Sequence, residues 1–387
     1  MAGAADLAFG LATSVGPVPF SSADEAVDFV LRTHPRFPTV PVTVEPGASL
    51  LAQSVFGLDG IELVEDGASL SLEGPLVSPG AAAEAAGRLE PTGPLLADTD
   101  VPAVDAAPFG AITAFGRAYG SRLVCARSAG KNGPAGSGPL AAAIRLPVLG
   151  PVTLSCHLRA AGVSGDDADA VAAAATAARS VAALRELHSA VDDGTTGARP
   201  TAPGSRSPIA VVLSEPALVG SMHPTHPVLP GQVRTMLDPV IDALDMASGV
   251  DPLLIGVHVP GQCDWPTVVG SGVSYLSVPV DRAVSGWAAL FGDLLERGGR
   301  ICWGAVPVDR PIGTSEAPHW RRLLGLWTAL VADGVDPMLL RLRSTFAPAD
   351  GLARFDPDSA EMVMDLTAAV AERVGHQAVA ARLALGA

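Results

Sequence analysis

Two short apolar runs, PIAVVLS (208–214) and PLLIGVHV (252–259), lie on either side of a longer helical pattern at 230–247. Short apolar runs that alternate with helical segments are typical of β-α units around a parallel sheet. The alternation continues along the chain, with further runs at 143–150, 274–280, 300–307 and 337–343. Helices are predicted between and after these runs, at 166–190, 284–298, 316–333 and 358–383. From residue 144 onward, the sequence therefore predicts six parallel strands.

The first part of the chain supplies two more candidate strands, LAFGLATSV (7–15) and FPTVPVTV (37–44). Between them a helix is predicted from Ser22 or Asp24 to Arg32, because a short polar side chain at either position can cap its first turn. Eight strands favour a closed (β/α)8 TIM barrel over an open doubly wound sheet. Because the chain has 387 residues, 48% hydrophobic content and no break in composition, residues 1–387 are predicted to form a single domain.

Two segments are rich in Gly, Pro, Ser and Thr: ARSAGKNGPAGSG (126–138) and DDGTTGARPTAPGSRS (192–207). This composition predicts flexible surface loops. The second segment follows a helix and precedes a strand, which assigns it to the amino-terminal face of the barrel. Active sites of such barrels form at the opposite face, so we expect no chemistry from this loop.

The composition also excludes several classes of partner. A formal net charge of −15 without a basic cluster argues against binding to nucleic acid or to an anionic membrane. No run approaches the ~20 apolar residues of a membrane span, and the N-terminus lacks a charged segment before its apolar run, so a cytoplasmic location is expected. The four cysteines lie far apart, and we expect Cys125, Cys156 and Cys302 to be buried and inert.

Polar residues follow the ends of the predicted strands, where the mouth of a barrel forms. Any one of them has a structural explanation: His258 suits a hydrogen-bonded core edge, and the histidines of SMHPTHP (221–227) lie in a loop stiffened by prolines. As a set they indicate a binding mouth, because they converge where parallel strands end. The set comprises Ser214, Glu215, His223, His226, His258, Cys263, Asp264, Asp281, Asp309 and Asp350.

A series of motifs extends over nearly the whole chain in a fixed order. It consists of LATSVGPVP (11–19), HPRFPTVP (34–41), LPVLGPVTLSCHL (146–158), LSEPALVGSMHPTHP (213–227), GVHVPGQCDW (256–265), LSVPVD (276–281), CWGAVPVDRPIGTSE (302–316) and APADGLARF (347–355). This series resembles actinobacterial proteins similar to the C-terminal barrel of cobalamin-independent methionine synthase. The resemblance implies a barrel of the superfamily that also contains uroporphyrinogen decarboxylase.

The same resemblance implies zinc-assisted methyl transfer from a folate to homocysteine, with zinc holding the thiolate. The family's ligands are a His-x-Cys pair, a glutamate and a later cysteine. The matching positions here are His258, Pro260, no glutamate in LSVPVD, and Asp350. Ser214 stands where the family has the aspartate of an Asp-Glu-Pro motif, and the family's proton-donating histidine is absent from GAVPVDRP (304–311). The sequence therefore predicts a degenerate zinc site.

Three interpretations follow. The first is a methyltransferase-like enzyme with a metal site rebuilt from His258, Asp350 and either Cys263, His223 or His226. The second is a metal-free barrel that binds a small molecule or performs other chemistry; a uroporphyrinogen decarboxylase is disfavoured within it, since LATSVGPVP lacks that family's arginines. The third is a pseudoenzyme or partner subunit.

The residues of the predicted mouth are assigned provisional roles. Glu215 and Asp309 are the predicted catalytic residues, and Ser214, His223, His226 and Asp281 are predicted to contact the substrate. The expected ligand is a small molecule such as a thiol amino acid or a folate. We expect no cofactor, with zinc at low occupancy as the alternative, because two motif ligands make a weak site.

Overall fold

A curled, seven-stranded parallel sheet flanked by helices forms the centre of the molecule. The computed structural model describes residues 7–58, 60–64, 67–72, 109–129, 142–195, 206–249 and 251–385. Its strands within these ranges are β1 (Leu11–Ala12), β2 (Ile61–Leu63), β3 (Leu70–Leu72), β4 (Ile144–Leu149), β5 (Ile209–Ser214), β6 (Leu253–His258), β7 (Tyr275–Pro279), β8 (Arg300–Val306) and β9 (Ser344–Pro348). The sheet order is β1-β9-β8-β7-β6-β5-β4, and β2 and β3 form a separate antiparallel hairpin.

Helices lie between and after these strands. They are α1 (Ala23–Thr33), α2 (Leu50–Val55), α3 (Gly110–Ala129), α4 (Pro151–Ala160), α5 (Gly165–Gly194), α6 (Pro230–Ser248), α7 (Trp265–Gly270), α8 (Ala288–Glu296), α9 (Ala317–Ala332), α10 (Pro337–Leu342) and α11 (Pro357–Leu385). Short 3-10 turns occur at Pro46–Ala48, Pro216–Leu218 and Arg282–Trp287. No helix within the described ranges is both long enough and apolar enough to span a membrane.

Both faces of the sheet are buried, and alternate residues of each strand point to opposite faces. In β5, Val211 and Leu213 pack into the large cluster beneath the helices, whereas Ala210 and Val212 belong to a smaller cluster on the concave face. The concave face is closely packed. At Gly256, for example, a Cβ atom would lie 2.5 Å from the carbonyl oxygen of Tyr275.

Most of the predicted elements are confirmed. The five apolar runs between 143 and 307 correspond to β4–β8, and the helical patterns correspond to α1, α5, α6, α8, α9 and α11. One strand prediction is wrong, because residues 337–342 form α10 and the strand follows at Ser344–Pro348. The cause is local: the Asp336 carboxylate accepts a hydrogen bond from the amide of Met338, and Pro337 occupies the first turn of the helix.

The two N-terminal strand predictions are confirmed only in part. The run at 7–15 is reduced to β1. The segment 37–44 forms only isolated parallel bridges, Thr39 with Arg145 and Val42 with Pro17. Prolines at positions 38 and 41 interrupt its ladder because they lack an amide hydrogen.

Two further differences concern helices and loops. Helices α2, α3, α4 and α7 and the β2–β3 hairpin were not predicted from the sequence. Of the two predicted loops, residues 126–129 belong to the end of α3 and 192–194 to the end of α5. Residues 130–138 and 196–205 lie outside the described ranges.

Candidate functional site

The polar residues that follow the strands lie at one edge of the sheet, which we call the carboxyl edge. Ser214 at the end of β5 pairs with His258 at the end of β6, and His258 pairs with Ser277 of β7. The next strands along the sheet end just before Asp281, Asp309 and Asp350. The structure thus brings Ser214, His258 and Ser277 side by side, as expected for parallel strands in register.

The acidic residues of the carboxyl edge divide into buried and exposed groups. Glu215 is fully buried, which departs from the expectation that it opens onto the mouth. Asp281, Asp309 and Asp350 are exposed, and each is engaged locally. Asp281 accepts from the amide of Ala283, Asp350 accepts from that of Gly351, and the Asp309 carboxylate pairs with Arg310.

The two loop histidines make local contacts. The Nδ1 atom of His223 lies 2.8 Å from the Thr225 hydroxyl, and the ring is exposed. The Nε2 atom of His226 lies 2.9 Å from the carbonyl oxygen of Ala217, and its Nδ1 lies 2.9 Å from the carbonyl oxygen of Val228 and 3.3 Å from its amide nitrogen. Both rings therefore brace the loop between β5 and α6, although their predicted contact with a substrate stays a prediction.

The buried carboxylate of Glu215 caps the N-terminus of α4. Its Oε1 accepts from the amide of Val152 at 2.9 Å, and its Oε2 accepts from the amide and hydroxyl of Thr153 at 2.7 and 2.6 Å. The first amides of a helix have no partner within the helix and carry partial positive charge, so they bind a carboxylate well. Glu215 therefore occupies the anion site that α4 offers.

Burial and hydrogen bonding act in opposite directions on Glu215. Burial raises the pKa of its carboxyl group and outweighs the hydrogen bonds from Thr153 and Val152, which lower it, so the pKa lies at about 7. The residue can therefore change protonation near neutral pH, which is a property of general acids and bases. The same geometry also explains Glu215 as a structural cap, so its predicted catalytic role stays a prediction.

His258 is buried at the end of β6, and its two ring nitrogens differ. The Nδ1 atom lies 3.0 Å from the Ser277 hydroxyl, whereas Nε2 is buried with no hydrogen-bond partner among the described residues. Burial, together with the positive charge of Arg145, lowers the pKa of His258 to about 3. The imidazole is therefore neutral at physiological pH, with one nitrogen free to accept or donate a proton.

Arg145 of β4 is the main feature of the concave face that the sequence did not predict. Its side chain is fully buried; Nη1 donates to the Cys302 sulfur at 3.7 Å, and the guanidinium lies 5.8 Å from the Tyr275 ring centroid. Within the described part of the chain, no carboxylate lies within ion-pair distance and Nε has no hydrogen-bond partner. A charged residue in the apolar run AIRLPVLG is the signal that could have revealed it.

The residues around Arg145 continue the polar lining toward His258. The Tyr275 hydroxyl lies 2.8 Å from that of Thr345, and Cys302 pairs in the sheet with Ser277, the hydrogen-bond partner of His258. The guanidinium of Arg145 therefore reaches the strand neighbour of the His258–Ser277 pair. The buried guanidinium of Arg145 and the unpartnered Nε2 atom of His258 therefore belong to the same polar lining of the sheet.

The predicted zinc ligands do not converge. Among the described residues, no group of three or more His, Cys, Asp or Glu side chains could hold a metal ion. Burial raises the pKa of the Cys263 thiol far above its usual range, so this cysteine is a poor source of thiolate. Asp350 is exposed and bonded to its own loop, and His258 is buried. These residues do not fit a zinc centre.

No family model matches the chain, and no curated protein matches it either. The resemblance to methionine synthase therefore rests on the ordered motifs of the sequence.

The expectation that Cys125, Cys156 and Cys302 are all buried is wrong in part. All four are free, and Cys263 and Cys302 are buried. Cys125 is exposed on α3, which contradicts its predicted burial, and Cys156 is half-buried. Cys125 lies on a solvent-facing position of its helix, so the local apolar run predicted its burial wrongly.

Replacing Arg145 by methionine is expected to raise the free energy of unfolding of the ligand-free protein by about 2 kcal/mol. A buried cation without a carboxylate costs more in desolvation than its weak contacts return, and methionine fills a similar volume. Urea unfolding measures the change, with Arg234→Met on the exposed side of α6 as the control. A loss of stability in Arg145→Met beyond that of the control would show that the guanidinium is a structural support.

Proposed function

We propose that the chain is a (β/α)8 barrel related to methionine synthase that binds a small carboxylate-bearing molecule on the concave face of its sheet, without zinc. The observation that carries the proposal is the buried, carboxylate-free guanidinium of Arg145, whose charge acts on His258, a residue with an unpartnered ring nitrogen. A buried charge without a partner of opposite charge destabilises the folded protein, and proteins retain such groups chiefly where they serve a function. An anionic ligand would supply the missing partner.

Closure of the barrel is supported by the backbone of the segment 37–44. On one side, the amide of Val40 donates to the carbonyl oxygen of Arg145, and the amide of Arg145 donates to that of Pro38. On the other side, the amide of Val18 donates to the carbonyl oxygen of Val42. The segment thus bonds to β4 and to the chain just after β1, the two edges of the curled sheet. We propose that it serves as the eighth strand.

The zinc-dependent reaction of the resembled family is disfavoured by the ligand positions. Pro260 offers no donor atom, Asp350 points into its own loop, and Cys263 stays protonated in the core. The family's acidic pair is also changed, because Ser214 replaces its aspartate and Glu215 is used as the cap of α4. Without a metal-held thiolate, methyl transfer to homocysteine lacks its nucleophile.

The proposed site assigns a role to each interior group. Arg145 would bind the ligand carboxylate, since a guanidinium suits a carboxylate geometrically. Ser277 orients the neutral imidazole of His258 through Nδ1, which leaves Nε2 to exchange a proton with the ligand. A thiol amino acid and a folate both carry carboxylates, so both remain candidates within this class.

The purified protein is expected to hold substantially less than one zinc per chain and to show no methyl transfer from 5-methyltetrahydrofolate to homocysteine. Two motif ligands, His258 and Asp350, fall short of the three that a catalytic zinc site usually has. Elemental analysis and a methyl-transfer assay measure both quantities. The double variant Pro260→Cys and Asp350→Cys is expected to raise zinc occupancy by restoring two thiolates.

Titration with carboxylates tests the proposal that the protein binds a carboxylate-bearing molecule. We expect homocysteine, 5-methyltetrahydrofolate or succinate to bind saturably to the native protein and at least about tenfold more weakly to Arg145→Met, because one charge-assisted hydrogen bond is lost. Calorimetric titration measures the affinity, with Arg234→Met as the matched control. Tightly held, stoichiometric zinc that is lost on His258→Ala would overturn the metal-free proposal and favour a rebuilt metal site.

A partner-binding role is the second candidate, and it is favoured by one surface. Val219, Met222 and Leu229 are 46%, 52% and 63% exposed in the loop between β5 and α6. Several exposed apolar side chains in one loop are typical of interaction sites. This role predicts that Met222→Lys changes the assembly state of the protein, measured by light scattering, without changing carboxylate affinity.

A further inference from the structure

A second polar site lies outside the curled sheet, in a cleft between α2, α5 and the end of β4. Helix α2 contributes Gln53 and Ser54, and α5 contributes Thr176, Arg179 and Ser180. Because Thr176, Arg179 and Ser180 are spaced by three and four residues, they share one face of α5. We call this feature the Arg179 cleft.

The α5 side of the Arg179 cleft carries unsatisfied polar atoms. The hydroxyls of Thr176 and Ser180, which are 1% and 0% exposed, and the Nε of Arg179 have no hydrogen-bond partner in the part of the chain that the structure describes. On the α2 side, the Ser54 hydroxyl donates to the carbonyl oxygen of Leu50. The orphan donors are therefore concentrated on one wall.

The two hydroxyls behave differently from other helical hydroxyls of this chain. Thr235, Thr328 and Thr367 each donate to the carbonyl oxygen four residues earlier. That bond satisfies a buried hydroxyl within its own helix. Thr176 and Ser180 do not make it, so both hydroxyls are available to a ligand in the cleft.

Arg179 adds a positive charge that no carboxylate balances. One Nη atom donates to the carbonyl oxygen of Phe56, and no ion pair to Arg179 occurs over the described ranges. Burial lowers the pKa of the guanidinium, which reflects the cost of holding this charge away from water. A half-buried cation beside two free hydroxyls is complementary to an anion with several oxygen atoms.

We propose that the Arg179 cleft binds a small oxyanion, with inorganic phosphate as the representative ligand. The cleft is small and partly open to solvent, so only a compact ligand can enter it. A free ion therefore fits better than a cofactor. This site is separate from the proposed carboxylate site, which lies on the concave face of the sheet.

Thermal unfolding in phosphate, at ionic strength held constant with chloride, tests the proposal on the full chain. The midpoint is expected to rise with phosphate and to saturate, because a ligand that binds only the folded state stabilises it. In Arg179→Met the phosphate affinity is expected to fall by about tenfold or more, and in Arg234→Met it is expected to be unchanged. Glycerol 3-phosphate forms a second arm: stabilisation by this ester alone supports the oxyanion site with a phosphate ester as its source.

The double variant Thr176→Val and Ser180→Ala distinguishes an oxyanion from ordered water. If water alone fills the cleft, removal of the hydroxyls leaves the response to phosphate unchanged, and that result overturns the proposal. An equal response in Arg179→Met and the native protein, or no saturable response to either phosphate compound in the native protein, also overturns it. Should Arg179→Met fail to fold, Arg179→Lys replaces it, with a smaller loss of affinity expected because the charge remains.

Discussion

Replacing Glu215 by alanine is expected to lower the free energy of unfolding by about 4 kcal/mol. The variant leaves the amides of Val152 and Thr153 without their acceptor and opens a cavity at the start of α4. Urea unfolding measures the loss, and Glu372→Ala, an exposed position on α11, serves as the control, with an expected change of less than about 0.5 kcal/mol.

The pH dependence of the same residue carries a definite sign. The pKa of Glu215 rises from 4.5 to about 7 on folding, so between these values the folded state holds a proton that the unfolded state has released. Stability contributed by this group therefore falls as the pH rises from 4.5 to 7, by about 3 kcal/mol.

Glu215→Gln is expected to lack this fall. The free energy of unfolding of the native protein, relative to that of the variant, should therefore decrease as the pH rises across the same window. Taking the difference cancels the opposite contribution of the buried histidines His34 and His258, whose pKa values are lowered in both proteins. A difference that stays constant with pH would mean that the carboxylate remains ionised, held by the amides of α4.

Replacing Gly150 by alanine is expected to lower the free energy of unfolding by about 3 kcal/mol. A Cβ atom at this position would lie 2.2 Å from the carboxyl carbon of Glu215 and 2.3 Å from its Oε1 atom. The backbone of Gly150 is extended, with φ −79° and ψ 155°, so the cost arises from the side-chain clash. The methyl group would displace the carboxylate from its hydrogen bonds.

A double-mutant cycle separates this clash from general damage to the loop. In the presence of Glu215→Ala, the change Gly150→Ala is expected to cost almost nothing, since the clashing group is gone. Gly231→Ala, where nothing lies within 4 Å of the added atom, is the matched control. Additive losses in the double variant would contradict the assigned contact between Gly150 and Glu215.

The regular part of the fold could be predicted because each buried strand is a short apolar run flanked by Gly or Pro. The runs PIAVVLS and PLLIGVHV carry that signal without a competing one. The run PMLLRLR carries two signals, since its composition allows a strand but Asp336 and Pro337 start a helix. Helix capping outweighed composition, so this run forms α10 and the strand β9 follows it.

The carboxyl edge was also predictable, because chain order alone assigns Ser214, His258 and Asp281 to the ends of neighbouring parallel strands. Which of these side chains turn inward was not. The capping of α4 by Glu215 joins residues 62 and 63 positions apart, and the placement of Arg145 beside Cys302 spans 157. Contacts between segments so distant arise from tertiary packing and leave no local pattern.

The pairing of β1 with β9 brings the first and the last strand of the sheet together at one seam. Arg32 of α1 and Glu361 of α11, which form an ion pair across that seam, are 329 residues apart. At about 5–20 residues per second, a ribosome needs on the order of tens of seconds to make the intervening chain. During that time, β1 of the nascent chain has no β9 with which to pair. A chain that stops before residue 344 leaves both β1 and β8 with open edges, and such fragments are expected to aggregate.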